Sequence, residues 1–137
     1  MDYRKFCRKR FFGHLIATPF LWAPLPMLIV LDILSELYHR VCFPIYGITK
    51  VRRSEYIQII DRNKLQYLNF FEKIGCMYCG YANGLSAYLK EIAGRTEKYW
   101  CDIMHETKPG FKVQAHQIEQ KFSPFGDKDD CEKKYGK

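Results

Sequence analysis

The sequence predicts a mainly α-helical fold: a proline-broken membrane hairpin or single bent span, followed by a small helical metal-binding domain. Three observations predict it. An uncharged apolar stretch covers residues 15–31, apolar side chains recur at helical spacing between residues 62 and 99, and three cysteines and a histidine fall between residues 76 and 105. The predicted division is a basic, apolar anchoring segment at 1–53, a helical domain at 54–105 and a polar tail at 106–137.

Composition and charge narrow the class of protein. At 137 residues the chain has room for one ordinary domain, and an aromatic content of 16% argues against disorder, which needs low hydrophobicity. Residues 1–53 hold nine Lys or Arg against three acids, so they carry six of the seven net positive charges. Because this basic excess flanks the apolar stretch, we expect membrane lipid as a partner, and no nucleic acid.

The apolar stretch reads LIATPFLWAPLPMLIVL, which is at the short limit for crossing a hydrocarbon core of about 30 Å. Pro19, Pro24 and Pro26 interrupt it, and each lacks an amide that a straight helix needs in lipid. The sequence therefore predicts a wedge, with one helix at about 11–21, a bend at WAPLP and a returning helix at about 27–39. A single bent span is the alternative.

Basic residues flank both ends of the apolar stretch. They are Arg4, Lys5, Arg8, Lys9 and Arg10 before it and Arg40, Lys50, Arg52 and Arg53 after it. Positive flanks prefer the cytoplasmic side of a membrane. The sequence therefore predicts a membrane protein whose C-terminal domain lies on the cytoplasmic side.

The returning helix carries a polar stripe. Asp32, Glu36 and either His39 or Arg40 recur at steps of three and four residues on an otherwise apolar helix. Such a stripe would face headgroups, the other arm or a protein partner. The alternative is a carboxylate and histidine constellation with chemistry, which would belong to a small lipid-modifying enzyme.

The domain at 54–105 is predicted to contain two packed amphipathic helices after a short strand or extended linker. The first would cover residues 62–74 and stop at Gly75, and the second would begin at Asn83 as its N-cap and run to about residue 99. Two packed helices alone would bury only a small hydrophobic core. A metal site would supply the closure that the small core lacks.

Four side chains have the spacing of a metal site. Cys76 and Cys79 lie in CMYCG, where a glycine after CxxC permits a tight turn that aims both sulfurs at one cation, and Cys101 and His105 supply a C-x3-H pair in CDIMH. Three thiolates and an imidazole favour a closed, structural zinc site, with rubredoxin-like iron as the alternative. A redox pair and unligated buried cysteines also stay open, and Cys131 and His116 are reserve ligands should His105 point elsewhere.

The motifs CxYCxYANG and RTExYWC carry a resemblance. Over about residues 15–105 the chain resembles a group of small bacterial membrane-associated proteins that have a proline-rich apolar segment in front of these motifs. Asp102 and Met104 stand where that group leads us to expect proline and lysine. The group has no activity that could be carried over to this chain.

The sequence predicts a non-enzymatic accessory or scaffolding subunit of an integral-membrane protein complex. There is no Gly-rich phosphate loop, G-x-S-x-G elbow or HExxH motif. An iron protein that delivers electrons to a membrane oxidase or hydroxylase is one alternative, and the lipid-modifying enzyme is another. The tail from residue 106 is rich in charge and turn residues and is expected to be flexible on its own.

Overall fold

The computed structural model describes residues 11–59 and 61–136. Within these ranges the protein is mainly helical and contains no strand, which confirms the predicted class in its coarse form. The five basic residues predicted to precede the apolar stretch, at positions 4, 5, 8, 9 and 10, lie outside the described residues.

The apolar stretch forms two helices, and the break lies among the prolines as predicted. α1 covers Phe11–Trp22 and α2 covers Leu25–Tyr46. The amide of Ala23 still bonds to α1, and the carbonyl of Pro24 accepts the first bond of α2. Pro26 lies in the first turn of α2, where no amide donor is required. The helical ladder is therefore interrupted only briefly.

The segment Phe12–Tyr46 is long and apolar enough to cross a membrane. It is the one segment with this length and apolar character among the described residues. It has 35 residues, begins near the N-terminus, and its most apolar part is not buried inside the protein. A membrane-capable helix near the N-terminus is therefore present, as the sequence predicts.

α2 is longer than predicted. The returning helix was expected to reach about residue 39, whereas α2 runs through Pro44 and ends where Gly47 takes a φ of +69°. The amide of Ile48 donates to the carbonyl of Phe43 at 2.9 Å, a closure usual for helices that end on a left-handed glycine. Pro44 lies so close to this end that it removes little of the ladder.

The two helices predicted at 62–74 and 83–99 are wrong, because one helix, α3, covers Phe70–Trp100. A short 3₁₀ turn, Asp61–Lys64, precedes it. Asn69 and Glu72 form a capping box in which each backbone amide donates to the other side chain at 2.9 Å. This local signal places the start of the helix eight residues later than the apolar spacing suggested.

Glycines let other parts of the chain approach α3 closely. The linker after the 3₁₀ turn Arg53–Glu55 passes over α3 at residues 56–58 and does not form the predicted strand. A Cβ atom at Gly84 would lie 2.6 Å from the carbonyl oxygen of Tyr56, and one at Gly80 would lie 3.1 Å from that of Gln58. These glycines lie inside the helix because the linker backbone occupies the space of a side chain.

The tail packs against the C-terminal end of α3. It contains α4, Ala115–Glu119, and α5, Lys128–Tyr135. Phe122 and Ser123 are buried, and Ser123 pairs with Ile103 in an isolated parallel bridge. The tail was expected to be flexible on its own. In the folded chain it instead supplies part of the core.

The chain forms two compact units, of which the first ends at Glu36 and the second begins at Leu37. The boundary therefore falls inside α2, whereas the predicted anchoring segment ended at residue 53. The buried apolar residues lie in the second unit and are Phe43, Val51, Leu85, Tyr88, Ile92 and Phe122.

Candidate functional site

The four predicted metal ligands lie at separate places along α3. Cys76 and Cys79 are inside the helix at an i, i+3 spacing, Cys101 is its C-cap, and His105 lies beyond its end. Twenty-five residues of helix separate Cys76 from Cys101, which corresponds to about 37 Å at 1.5 Å per residue. The structure therefore places Cys76 and Cys79 on the same helix three residues apart and does not bring them to Cys101.

The reason is that CMYCG does not form a knuckle. Gly75 and Gly80 were interpreted as turn residues, but both continue the helix, and Gly80 serves the approach of the linker. Among residues 11–59 and 61–136 no group of three or more histidine, cysteine and acidic side chains could hold a metal ion. The predicted Cys3His closure is thus not formed within one chain, and the second unit is closed by packing.

A polar cluster at the C-terminal end of α3 connects this helix to the tail. The Glu97 carboxylate contacts Nε2 of His116 at 2.6 Å and accepts a hydrogen bond from the Gln117 amide at 2.7 Å. His105, which is 62% exposed, lies farther away, with its Nε2 atom 3.8 Å from Glu97. The His116 ring also covers Gly94, where a Cβ atom would lie 2.9 Å from it. Glu97 therefore fastens the tail to α3.

Asp102 makes a second link between α3 and the tail. Its buried carboxylate pairs with the Lys98 ammonium and accepts a hydrogen bond from the Tyr135 hydroxyl. Its carbonyl accepts from the amide of Ser123 at 2.9 Å. Asp102 has a φ of +50°, which aspartate tolerates and which proline, expected here from the resemblance, cannot adopt. The backbone conformation of this chain at position 102 is therefore incompatible with the expected proline.

The Glu97 pKa is set by two opposing effects. Desolvation by partial burial raises it, whereas hydrogen bonds from His116 and Gln117 and the nearby histidine charges lower it more. The net pKa lies below the ordinary value of 4.5. The ionised form is thus stabilised by folding, and because a carboxylate only accepts hydrogen bonds, His116 donates from Nε2.

Replacing Glu97 by glutamine is expected to destabilise the second unit by about 1–3 kcal/mol, because an amide presents one acceptor oxygen where two donors now point. A carboxylate whose pKa is lowered on folding stabilises above the unfolded value and loses that contribution as pH falls through the folded value. The difference from wild type should therefore be full above pH 4.5 and shrink below it. Thermal unfolding followed by circular dichroism across this range measures it.

Glu119→Gln is the matched control for Glu97→Gln, since Glu119 is an exposed carboxylate on the neighbouring α4. It should change the unfolding free energy by less than about 0.5 kcal/mol. A Glu97→Gln loss of the same size at every pH would contradict the assigned role of the charge.

His39, named in the polar stripe of the returning helix, is buried rather than presented to solvent. Its Nε2 atom accepts the amide of Val51 at 2.9 Å, and its Nδ1 atom contacts the Tyr88 hydroxyl at 3.1 Å. The ring also packs edge-on against Phe43. These contacts give His39 a packing role in the second unit.

An open cleft lies beside the polar cluster. It has a volume of about 440 Å³. Its lining residues are Ile48, Thr49, Glu91, Arg95, Lys98, Tyr99 and Gln120. The Arg95 guanidinium spans it, bonding through Nε to Glu91 and through Nη1 to the carbonyl of Thr49, both at 2.7 Å. Two cations line it, and each is paired with a carboxylate, Arg95 with Glu91 and Lys98 with Asp102.

An aromatic cluster adjoins this cleft. The ring of Tyr46, the last residue of α2, stacks on Tyr99 with centroids 4.8 Å apart and meets Trp100 edge-on at 5.5 Å. Tyr99 belongs to both the cluster and the cleft. Sequence reasoning singled out RTEKYWC but missed its link to Tyr46, which lies 53 residues earlier in the chain, because no local pattern joins the two.

Comparison of the chain with protein-family models, with curated proteins and with solved structures finds no match. The resemblance to small bacterial membrane-associated proteins therefore stays an expectation.

Proposed function

We propose that this protein is a non-enzymatic accessory subunit that is bound to the membrane through α1 and α2. Its second unit would lie on the cytoplasmic side and dock on an integral-membrane protein complex. The observation that carries the proposal is an apolar face of α2 that stays exposed over the whole helix.

The exposed face of α2 follows the helical repeat. Ile33, Leu37, Val41 and Ile45 recur every four residues and are 63%, 60%, 49% and 73% exposed. Toward the C-terminal end the opposite face carries His39, which is buried in the second unit. A contiguous apolar stripe on the outside of a packed helix is a contact surface for lipid or protein rather than for water.

The length of α2 suits contact with a membrane. Its 22 residues extend about 33 Å, slightly more than a hydrocarbon core of about 30 Å. The exposed stripe would be covered by lipid whether α2 crosses the membrane or lies in the interfacial plane. Arg40, also exposed, can extend its guanidinium to the headgroups. The basic flanks favour the cytoplasmic leaflet.

A structural zinc, or an iron centre for electron transfer, is not part of this proposal. Either would need Cys76, Cys79, Cys101 and His105 around one ion. Within one chain α3 would have to break for that to occur. An accessory role needs no such rearrangement.

Membrane binding through the stripe is tested by replacing Val41 and Ile45 together with glutamate. We expect the wild-type protein to stay in the membrane pellet after an alkaline carbonate wash and the double variant to move largely to the supernatant, because each buried charge costs up to about 3 kcal/mol. Ile118→Glu is the matched control, since Ile118 is 62% exposed on α4 in the tail. Equal release of the two variants would contradict the assignment.

The accessory role is tested separately by purifying the wild-type chain from its native membrane in mild detergent. We expect a stoichiometric integral-membrane partner, identified by mass spectrometry, to remain bound. Recovery of the chain alone, at the mass of a monomer, would overturn the accessory role while leaving the membrane anchor intact.

A further inference from the structure

The cleft beside Tyr99 lies in a basic neighbourhood. Arg95 and Lys98 line it, and the residues that follow the lining residues Thr49 and Gln120 are Lys50 and Lys121, both exposed. Glu91 is the one acid in its lining. Arg95 is paired with Glu91 and Lys98 with Asp102, so the excess positive charge around the cleft comes from the two exposed lysines.

The cations of the cleft are held in place and still have donors to offer. Arg95 uses Nε for Glu91 and Nη1 for the carbonyls of Thr49 and Lys50, and its Nη2 group carries two further N–H donors. The Lys98 ammonium uses donors for Asp102 and for the carbonyl of Lys121, which leaves one of its three N–H groups. An anion could therefore be bound by groups that are already oriented, which lowers the entropic cost of binding.

The cleft also adjoins the parts of the molecule that suit a membrane interface. Tyr99 lines it and stacks on Tyr46 at the end of the apolar segment, while Trp100 is 66% exposed next to both. Tyrosine and tryptophan are enriched at the level of lipid headgroups. The exposed apolar side chain of Ile45 directly precedes Tyr46.

We infer that this cleft binds the phosphate of an anionic phospholipid headgroup, with Arg95 and Lys98 as the phosphate ligands and the Tyr46, Tyr99 and Trp100 rings beside the glycerol and upper acyl region. Basic pockets next to membrane helices on the cytoplasmic side are suited to such headgroups. The inference rests on the proposed membrane anchor and adds a lipid preference to it.

The preference should favour a headgroup without a cation of its own. Phosphatidylglycerol presents one net negative charge, whereas the phosphate of phosphatidylcholine is accompanied by a quaternary ammonium that the basic surroundings of the cleft disfavour. Inorganic phosphate shares the charge but lacks the apolar part that would contact the aromatic rings. These three compounds separate charge from lipid recognition.

The test is a titration of the full chain in mild detergent with short-chain phosphatidylglycerol, short-chain phosphatidylcholine or inorganic phosphate, followed by the thermal unfolding midpoint. We expect a saturable rise with phosphatidylglycerol at an apparent affinity at least about tenfold higher than with either of the others. Equal affinities for phosphatidylglycerol and inorganic phosphate would overturn lipid recognition. Equal affinities for the two lipids, or no rise at all, would overturn the site.

Gln120→Glu is the variant of choice, because Arg95 and Lys98 keep all of their structural bonds. The new carboxylate competes for the cleft cations and should weaken the phosphatidylglycerol effect about tenfold, as one surface charge interaction would. Gln66→Glu makes the same change at an exposed position four residues before α3 begins at Phe70, away from the cleft, and should leave the phosphatidylglycerol effect unaltered. Equal weakening by both variants would overturn the location.

The same preparations separate this inference from the proposed function. Membranes that retain the wild-type chain after the carbonate wash, together with no lipid preference, would overturn the headgroup site alone. Loss of the wild-type chain from those membranes would overturn the anchor itself.

Discussion

Replacing Gly84 by alanine is expected to destabilise the second unit by about 1–3 kcal/mol. The result would run against helix propensity, since alanine is ordinarily better than glycine inside a helix by about 1 kcal/mol. The added methyl group would lie 2.6 Å from the carbonyl oxygen of Tyr56 and 3.0 Å from the Cα atom of Ile57. Both obstacles are backbone atoms, so the linker can relieve the clash only by moving away from α3.

Two other glycines of α3 provide a graded control. A Cβ atom at Gly80 would lie 3.1 Å from the carbonyl oxygen of Gln58, and one at Gly75 would meet nothing within 4 Å. Gly75→Ala should therefore raise stability by about 0.5–1 kcal/mol, while Gly80→Ala should fall between the other two.

Thermal unfolding of the three alanine variants in detergent measures the series, with about 4–8 °C expected per kcal/mol for a unit of this size. Amide hydrogen exchange in residues 56–58 adds a local readout, because a displaced linker should lose protection in Gly84→Ala and keep it in Gly75→Ala. A uniform rise in stability across the series would show that the linker does not pack where the structure places it.

The elements that the sequence predicts correctly are those set by strong local chemistry. Three prolines lie within eight residues, and although Pro19 is accommodated inside α1, the closely spaced Pro24 and Pro26 favour a break, so the break near Pro24 and the apolar helices around it follow from the residues alone. The capping box at Asn69 and Glu72 is equally local. It was overlooked because the apolar spacing before it suggested an earlier start.

The sequence interpretation of CMYCG and the structure differ in the role of glycine. In CMYCG a glycine after the second cysteine was interpreted as the turn of a knuckle, whereas Gly80 and Gly84 together make room for a distant backbone segment. Both interpretations need a glycine at the same place. Only the position of residues 56–58 distinguishes them, and that position depends on contacts across more than twenty residues of sequence.

The polar end of α3 was predicted in part. RTExYWC stands out as a motif of the resemblance and His116 as a reserve ligand, but the contact between Glu97 and His116 joins residues on two elements that share no local pattern. The sequence indicated which side chains could do chemistry. It did not indicate that these side chains would be used to hold the tail.

His39→Phe is expected to cost about 2–4 kcal/mol, even though phenylalanine is similar in shape and more apolar. His39 is only 4% exposed, and its Nε2 atom accepts the buried amide of Val51. Because an amide can only donate, Nε2 must carry the lone pair. The proton is thus assigned to Nδ1, which donates to the Tyr88 hydroxyl. Phenylalanine would leave the Val51 amide buried without this acceptor.

Three variants separate hydrogen bonding from packing at His39. His39→Gln can place an acceptor oxygen near the position of Nε2 and should recover part of the loss, whereas His39→Ala should lose more than His39→Phe because it also opens a cavity. His14→Phe, at an exposed position on α1, should stay within about 0.5 kcal/mol of wild type.

The deciding measurement is the unfolding free energy of each variant, together with a double-mutant cycle of His39→Phe and Tyr88→Phe. We expect the effects of the two substitutions to be coupled, because each removes the hydrogen-bond partner of the other side chain. Full stability of His39→Phe would mean that the Val51 amide finds another acceptor, and the buried histidine would then have to be explained by something other than the fold. A loss in both His39→Phe and His39→Ala, with His39→Gln near wild type, would establish that the acceptor holds the turn after α2 against α3. That turn carries Ile48 and Thr49, so the same histidine positions one wall of the cleft beside Tyr99.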